Sequence, residues 1–334
     1  RQMCIRDSSE CSDLSQADCE YWSTYCSWNS EQNTCEEIGG GGSSEFGPYE
    51  VATYTQNDGL QPGSLYADAT IYHPIGYNDL LGSIILGAGF GGDQESMENW
   101  AYYFSSHGFV SATIQYNDPV NDSHGFRAEA ILELINSIKM EDDRPNSPLY
   151  NALDTSEFAA VGYSLSGGSV QLAAVLNSSL SAVIALNPTI IVEDCELCAG
   201  SEYCICLVPE FLDHSVPTLI IAGQNEVNDL PDYDGLLGQD QYYNTPETTT
   251  KLLYEISGGG HSSTEWPGAS EGIPGRLALN WLNYFIQNKE EYCDSVIVIP
   301  DNASQFLTTL NLSLIHISEP TRQEAISYAV FCLK

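Results

Sequence analysis

The sequence predicts an α/β fold, a mainly parallel sheet flanked by helices, and two observations carry that expectation. From about Phe46 onward, short apolar strand-like runs alternate with helical patterns, the sign of a layered α/β domain. One of those runs, Phe158 to Val161, passes directly into Gly162-Tyr-Ser164-Leu-Ser166, after which small and apolar residues open a helical pattern reaching about Asn177. A strand that turns into a helix around one serine needs small residues two positions before and after it. Gly162 and Ser166 meet that demand.

Arg1 to Ser8 and Ser313 to Lys334 resemble translated sequencing-adapter sequence, carry no periodicity that packs, and are expected to lie outside the fold (1–8 and 313–334). Residues 9–37 form a small Cys-rich module with Cys11, Cys19, Cys26 and Cys35 beside Trp22, Tyr25 and Trp28. A piece this short cannot bury a core, so disulfides would have to hold it. Residues 38–45, with the run GGGGSS, read as a flexible linker, and the main domain spans 46–312.

Within that domain strands are expected at Ala69 to Tyr72, Ser83 to Leu86, Val110 to Ile114, Phe158 to Val161, Ala182 to Leu186, Thr218 to Ala222 and Leu252 to Ile256. Helices are expected over about Glu95 to Ser106, stopping at Gly108, over Arg127 to Met140, and over Pro274 to Gln287. Ala130, Ile131, Leu134, Ile135 and Ile138 share one face of the second and read as core.

The chain has 10 Lys plus Arg against 46 Asp plus Glu, and between Ser9 and Leu312 its basic residues are only Arg127, Lys139, Arg144, Lys251, Arg276 and Lys289. Such a surface repels nucleic acid and anionic membranes. No apolar run approaches the roughly 18 residues of a membrane span. Eleven cysteines suggest an oxidising, extracellular setting, and sequons at Asn121, Asn177 and Asn302 agree with secretion. Cys195, Cys198, Cys204 and Cys206 read as disulfides, with four thiolates for zinc as the competing reading. A monomer is expected.

Ser164 is the candidate nucleophile, and a serine nucleophile needs a histidine base oriented by a carboxylate. In α/β-hydrolases these follow in the order serine, acid, histidine. His261 sits in Gly258-Gly-Gly260-His-Ser, just after the strand ending at Ile256. The loop after Thr218 to Ala222 offers Glu226 as the acid, with Asp229 as the alternative. For an oxyanion hole, Leu165 follows the nucleophile, and Gly87-Ala-Gly-Phe90-Gly-Gly92 follows an early strand and offers the Phe90 N–H. No lysine or dinucleotide fingerprint accompanies those glycines, so a phosphate-cradling loop is the weaker reading. No cofactor and no metal is expected.

From about Gly47 to Phe306 the chain resembles the PET-degrading and cutinase-like polyester hydrolases. The likeness rests on Gly47-Pro48, Gly89-Phe90, Ser106-His-Gly-Phe-Val110, the turn at Ser164, Val216-Pro-Thr-Leu-Ile220 and Gly259-Gly-His-Ser262. It implies an α/β-hydrolase fold with Ser164, Glu226 and His261 as triad, the backbones of Phe90 and Leu165 as oxyanion hole, and Phe90, Thr189 and Ile190 in the substrate-binding cleft. It also implies a polymeric ester as substrate, with a lipase or carboxylesterase acting on smaller esters as the alternative and a non-catalytic binding protein as a second. The chain departs from the family in having Glu226 for the usual aspartate, Ser166 for glycine, and Thr189 for an aromatic residue. Gly223 and Ser263 stand at positions that match a cysteine pair in some members, and Cys293 resembles half of the family's C-terminal disulfide.

The dispersed acidic charge predicts a protein adapted to salt, where self-repulsion is screened. Its melting temperature is expected to rise with added sodium chloride; a flat or falling response would remove that explanation of the charge.

Overall fold

In the computed structural model, residues 26–29, 34–37, 46–189, 207–229 and 236–310 are described. Two units are distinguished, residues 1–43 and 44–334. In the first, β1 (Cys26–Asn29) and β2 (Thr34–Glu37) form an antiparallel hairpin with Trp28 opposite Cys35.

The second unit contains β3 (Val51–Thr55), β4 (Tyr66–Pro74), β5 (Leu81–Gly87), β6 (Val110–Tyr116), β7 (Leu153–Tyr163), β8 (Ala182–Leu186), β9 (Thr218–Gly223), β10 (Lys251–Ile256) and β11 (Ala303–Thr308). They make one nine-stranded sheet in the order β11-β10-β9-β8-β7-β5-β6-β4-β3. The six strands from β10 to β6 are parallel, and β11, β4 and β3 add antiparallel edges. This is the α/β-hydrolase architecture the sequence predicts. Strand order reverses at β5 and β7, and ligands of open α/β sheets bind beyond the strand ends at such a reversal.

Alternating side chains of the buried strands feed two cores. Phe158 and Ala160 of β7 join Ile131, Leu134, Ile138 and Val170 on one face, covered by α2 (His124–Asp143) and α3 (Leu165–Leu176). Ala159 and Val161 join Trp100, Phe104, Leu277, Trp281 and Leu282 on the other, covered by α1 (Glu98–Ser106) and α5 (Ile273–Phe285). Full burial of each of the larger aliphatic and Phe side chains among them contributes about 1.5–3 kcal/mol. Two short helices, α4 (Gly238–Asn244) and α6 (Cys293–Val296), complete the described part; Cys293 is disulfide-bonded.

The helix expected from Glu95 begins as a 3-10 turn at Gln94–Met97 that only then becomes α1. Asp93 caps that turn through the Ser96 N–H, which sets the start one residue early. The helix expected from Arg127 begins at His124, because Ser123 caps it. The cysteine cluster 195–206 and the linker 38–45 lie outside the described residues. Among the described residues no helix is long and apolar enough to cross a membrane.

Buried cations are unusually prominent for so acidic a chain. Arg127 and Lys251 are fully buried, and of the six basic residues between 46 and 310 only Arg276 is exposed. Two buried histidines, His124 and His214, are each pushed down to about 4 by desolvation. The unfolded chain protonates them near 6.5, the folded chain only near 4, so between those values the unfolded state binds more protons and stability falls as pH falls. Urea unfolding of His214→Gln at pH 7 and pH 5 is therefore expected to show a stability drop smaller than that of the unsubstituted chain by about 2 kcal/mol. Equal drops would mean that His214 titrates normally in the fold.

Candidate active site

One residue makes the whole turn between β7 and α3. Ser164 has φ 54° and ψ −119°, a backbone conformation that an L-residue holds only when its surroundings impose it. The surroundings do so with three backbone hydrogen bonds. Ser164 N donates to Leu186 O of β8 at 2.9 Å, and Ser164 O accepts from Gly167 N at 2.8 Å and Thr189 N at 3.0 Å. The turn is so tight that a Cβ at residue 162 would lie 2.0 Å from Ser166 O, which makes glycine obligatory there. Position 166 does accept a side chain, and the Ser166 hydroxyl donates to Ala88 O.

The strand ends bring the partners to this turn. His261, in the loop after β10, has Nε2 2.9 Å from Ser164 Oγ and Nδ1 2.7 Å from Glu226 Oε1. An ionised carboxylate only accepts, so the proton of the neutral imidazole sits on Nδ1 and Nε2 faces the serine hydroxyl as an acceptor. Glu226 opens a 3-10 turn, Glu226–Asp229, and is 1% exposed. Burial raises its carboxyl above the usual range, opposed by His261, the Asn187 amide and the Gly223 N–H.

The acid and histidine loops are laced to each other. Asn225 N donates to Gly259 O at 2.7 Å, Gln224 N to Ile256 O at 2.9 Å, and Gly258 N to Gln224 Oε1 at 2.9 Å. A Cβ on Gly223 would lie 2.5 Å from the carbonyl oxygens of Gly259 and Gly260, so the two backbones approach as closely as glycine permits. A cysteine at 223 could not fit this approach.

Across the cleft runs the loop after β5. Gly87 and Gly162 are register partners in neighbouring strands, so the two loops leave the sheet at one level. A Cβ on Gly89 would lie 3.0 Å from Ser164 Cβ. Among the described residues the Gly91 and Gly92 N–H groups bond to Pro119 O and Gly89 O, while no backbone bond engages the Phe90 N–H. Leu165 is the first residue of α3, where an N–H has no acceptor in its own helix. Phe90 itself is 55% exposed at the mouth.

Thr189 lies beside Ser164. It is buried, its Oγ1 is 3.4 Å from Ser164 Oγ, and its carbonyl accepts from His124 Nε2 at 3.2 Å. Ile190 lies outside the described residues, as do Cys195, Cys198, Cys204 and Cys206. Asp229 closes the turn that Glu226 opens; its side chain lies outside what is described. Among the described residues no group of three or more His, Cys, Asp or Glu is arranged to hold a metal ion.

Two contributors carry no motif. Tyr163 packs its ring against His261, centroids 5.5 Å apart, and donates its hydroxyl to His261 O at 2.8 Å. Asn187, fully buried at the end of β8 with φ 41°, donates Nδ2 to Ser263 Oγ at 3.2 Å, accepts from Thr264 Oγ1, and helps hold the Glu226 carboxyl. An asparagine just past a strand is the only signal it leaves in sequence, since asparagine tolerates positive φ.

The fold and the chemistry gathered at its strand ends define an α/β-hydrolase of the carboxylic ester hydrolase class. Comparison with known proteins gives the family: the chain belongs to the PET hydrolase-like family, whose model matches residues 43–311. It is 27% identical over 234 residues to Cutinase est2 of Thermobifida alba, covering 68% of this chain and 67% of that protein. Cutinase 1 of Thermobifida cellulosilytica is 26% identical over 251 residues, covering 74% and 83%. Bis(hydroxyethyl) terephthalate hydrolase of Streptomyces coelicolor is 25% identical over 263 residues, covering 76% and 73%.

Glu226→Gln keeps the shape of the acid but not its charge, and it is expected to cut kcat on a soluble ester by an order of 10⁴, as loss of the orienting carboxylate does in a serine triad. Asp229→Asn is expected to leave kcat nearly unchanged, because the carboxylate against His261 Nδ1 is that of Glu226. The reverse pattern would assign the acid to Asp229.

Proposed function

We propose that this protein is a secreted serine ester hydrolase that cleaves polyesters, PET-like or cutin-like, through an acyl-enzyme. The observation that carries the reading is the continuous relay from Ser164 Oγ through His261 to Glu226, with the Phe90 loop against the nucleophile. Its relatives include cutinases and a bis(hydroxyethyl) terephthalate hydrolase, which supports an aliphatic or aromatic polyester as substrate.

In this mechanism Ser164 Oγ attacks the ester carbonyl while His261 Nε2 takes its proton. The new C–O bond pushes the carbonyl pair onto oxygen, and that oxyanion is held by the N–H groups of Phe90 and Leu165. Collapse breaks the bond to the alcohol, which leaves with the proton from His261. Water then repeats the sequence on the acyl-serine, releasing the acid and restoring Ser164. Glu226 stays ionised throughout and stabilises the imidazolium. Phe90 supplies exposed apolar surface at the mouth, and this reading assigns Thr189 and Ile190, with Phe90, to substrate binding. The same reading assigns residues 46–312 to catalysis, 9–37 to an accessory module, and 38–45 to the tether between them.

Residues 45–312 are expected to release soluble products from an amorphous polyester film above a Ser164→Ala blank. Cleavage of short soluble esters without release from the film would make the enzyme an esterase or lipase. Turnover by Ser164→Ala equal to that of the unsubstituted chain would remove the serine mechanism, and no ester turnover at all would leave a binding protein.

A further inference from the structure

Arg127 is fully buried, sits in the first turn of α2, and has no carboxylate within ion-pair distance among the described residues. Both facts are unfavourable. Burial of an unpaired charge costs several kcal/mol, and the N-terminal turn of a helix carries its positive pole. Desolvation accordingly lowers its pKa from the usual arginine value.

What surrounds it is a shell of carbonyl oxygens. Nη1 donates to Ala88 O at 2.9 Å, to Gly89 O at 3.3 Å and to Ser166 Oγ at 3.2 Å; Nη2 donates to Pro119 O at 2.6 Å; Nε donates to Asp122 O at 3.2 Å. The guanidinium lies 4.2 Å from the centre of the Tyr116 ring. Because the single Ser166 hydrogen goes to Ala88 O, its oxygen accepts from both Arg127 and the Tyr116 hydroxyl, the latter at 2.9 Å.

Gly89 O and the Phe90 N–H belong to one planar trans peptide and point in opposite directions. A donor that holds the carbonyl from inside the protein therefore turns the N–H away from itself. Gly92 N shares the same carbonyl at 3.2 Å, so that peptide is fixed from two sides. A charged donor on a carbonyl also polarises the peptide and makes its N–H a stronger donor.

We propose that Arg127 is a positioning residue that presets the Phe90 N–H for the oxyanion through the Ala88 and Gly89 carbonyls, with Tyr116 and Ser166 holding the guanidinium in register. This rests on the serine mechanism proposed above. Ser166 acquires a reason by it, since glycine at that position offers no hydroxyl to link Arg127 to Ala88.

The test compares Arg127→Met and Arg127→Lys with Lys251→Met. Lys251 is a second buried cation, bonded to the carbonyls of Tyr242 and Thr245 at the sheet, and its loss controls for destabilisation alone. Each variant is assayed on a soluble ester below its melting transition, with melting temperature, kcat, KM and the affinity of an aryl boronic acid that forms a tetrahedral adduct. Arg127→Met is expected to lower kcat by ~10²-fold, as loss of one oxyanion donor does, with KM within about threefold and boronate affinity falling in step with kcat/KM. Arg127→Lys, which keeps the charge but cannot reach all the carbonyls, should fall between, and it carries the test if the methionine variant does not fold.

An unchanged kcat in the folded arginine variants, or a loss equal to that of Lys251→Met at matched melting temperature, would overturn the proposal. Labelling with a fluorophosphonate separates the two levels. Failure of the unsubstituted chain to label at Ser164 would overturn the serine mechanism and this inference together, whereas labelling with unchanged Arg127 kinetics overturns the inference alone.

Discussion

The cleft depends on a steric constraint, the absence of room for a side chain at residue 162. With Gly162 against the Ser166 carbonyl, β7 turns into α3 within one residue, and the strain this imposes on Ser164 is met by hydrogen bonds from β8 and from the start of the segment after it. The strained backbone lifts the serine hydroxyl above the sheet, and the register of β7 with β5 sets the Phe90 loop beside it. Everything else at the site is a matter of loops meeting that fixed point.

Those loops are held to one another as well as to the strand ends. The acid loop and the histidine loop share backbone hydrogen bonds, and Gly223 lets their chains touch. Close backbone contact and Asn187 link these two segments. A glutamate is one methylene longer than aspartate, and in this chain its carboxylate meets His261 from the first residue of a 3-10 turn while its other oxygen accepts the Gly223 N–H at 3.1 Å. The longer acid thus needs anchoring from several donors, which the site supplies.

Much of this was legible in sequence because it is local. The strand Ala182–Leu186 has the bounds expected of an unbroken apolar run, and the turn at Ser164 declares itself through its small residues. The strands of the large sheet not foreseen, β3 and β11, are edges: Val51–Thr55 and Ala303–Thr308 are mostly half-buried and show no clean alternation. The helix α4 is only seven residues long and mostly polar, so no periodicity announces it. Asn187, Tyr163 and Arg127 belong to a harder class. Each acts through a partner 39 to 98 residues away in the chain, and a single sequence carries no record of which distant carbonyl a side chain will reach.

The interior location of the cations has an outward consequence. With Arg127 and Lys251 enclosed and Arg276 the one exposed basic residue between 46 and 310, the exposed charge among the described residues is mostly acidic. Ester hydrolysis yields a carboxylic acid that ionises at neutral pH, while the ester that enters is uncharged. A carboxylate product leaving an acidic surface therefore meets repulsion that the neutral ester does not, strongest at low ionic strength.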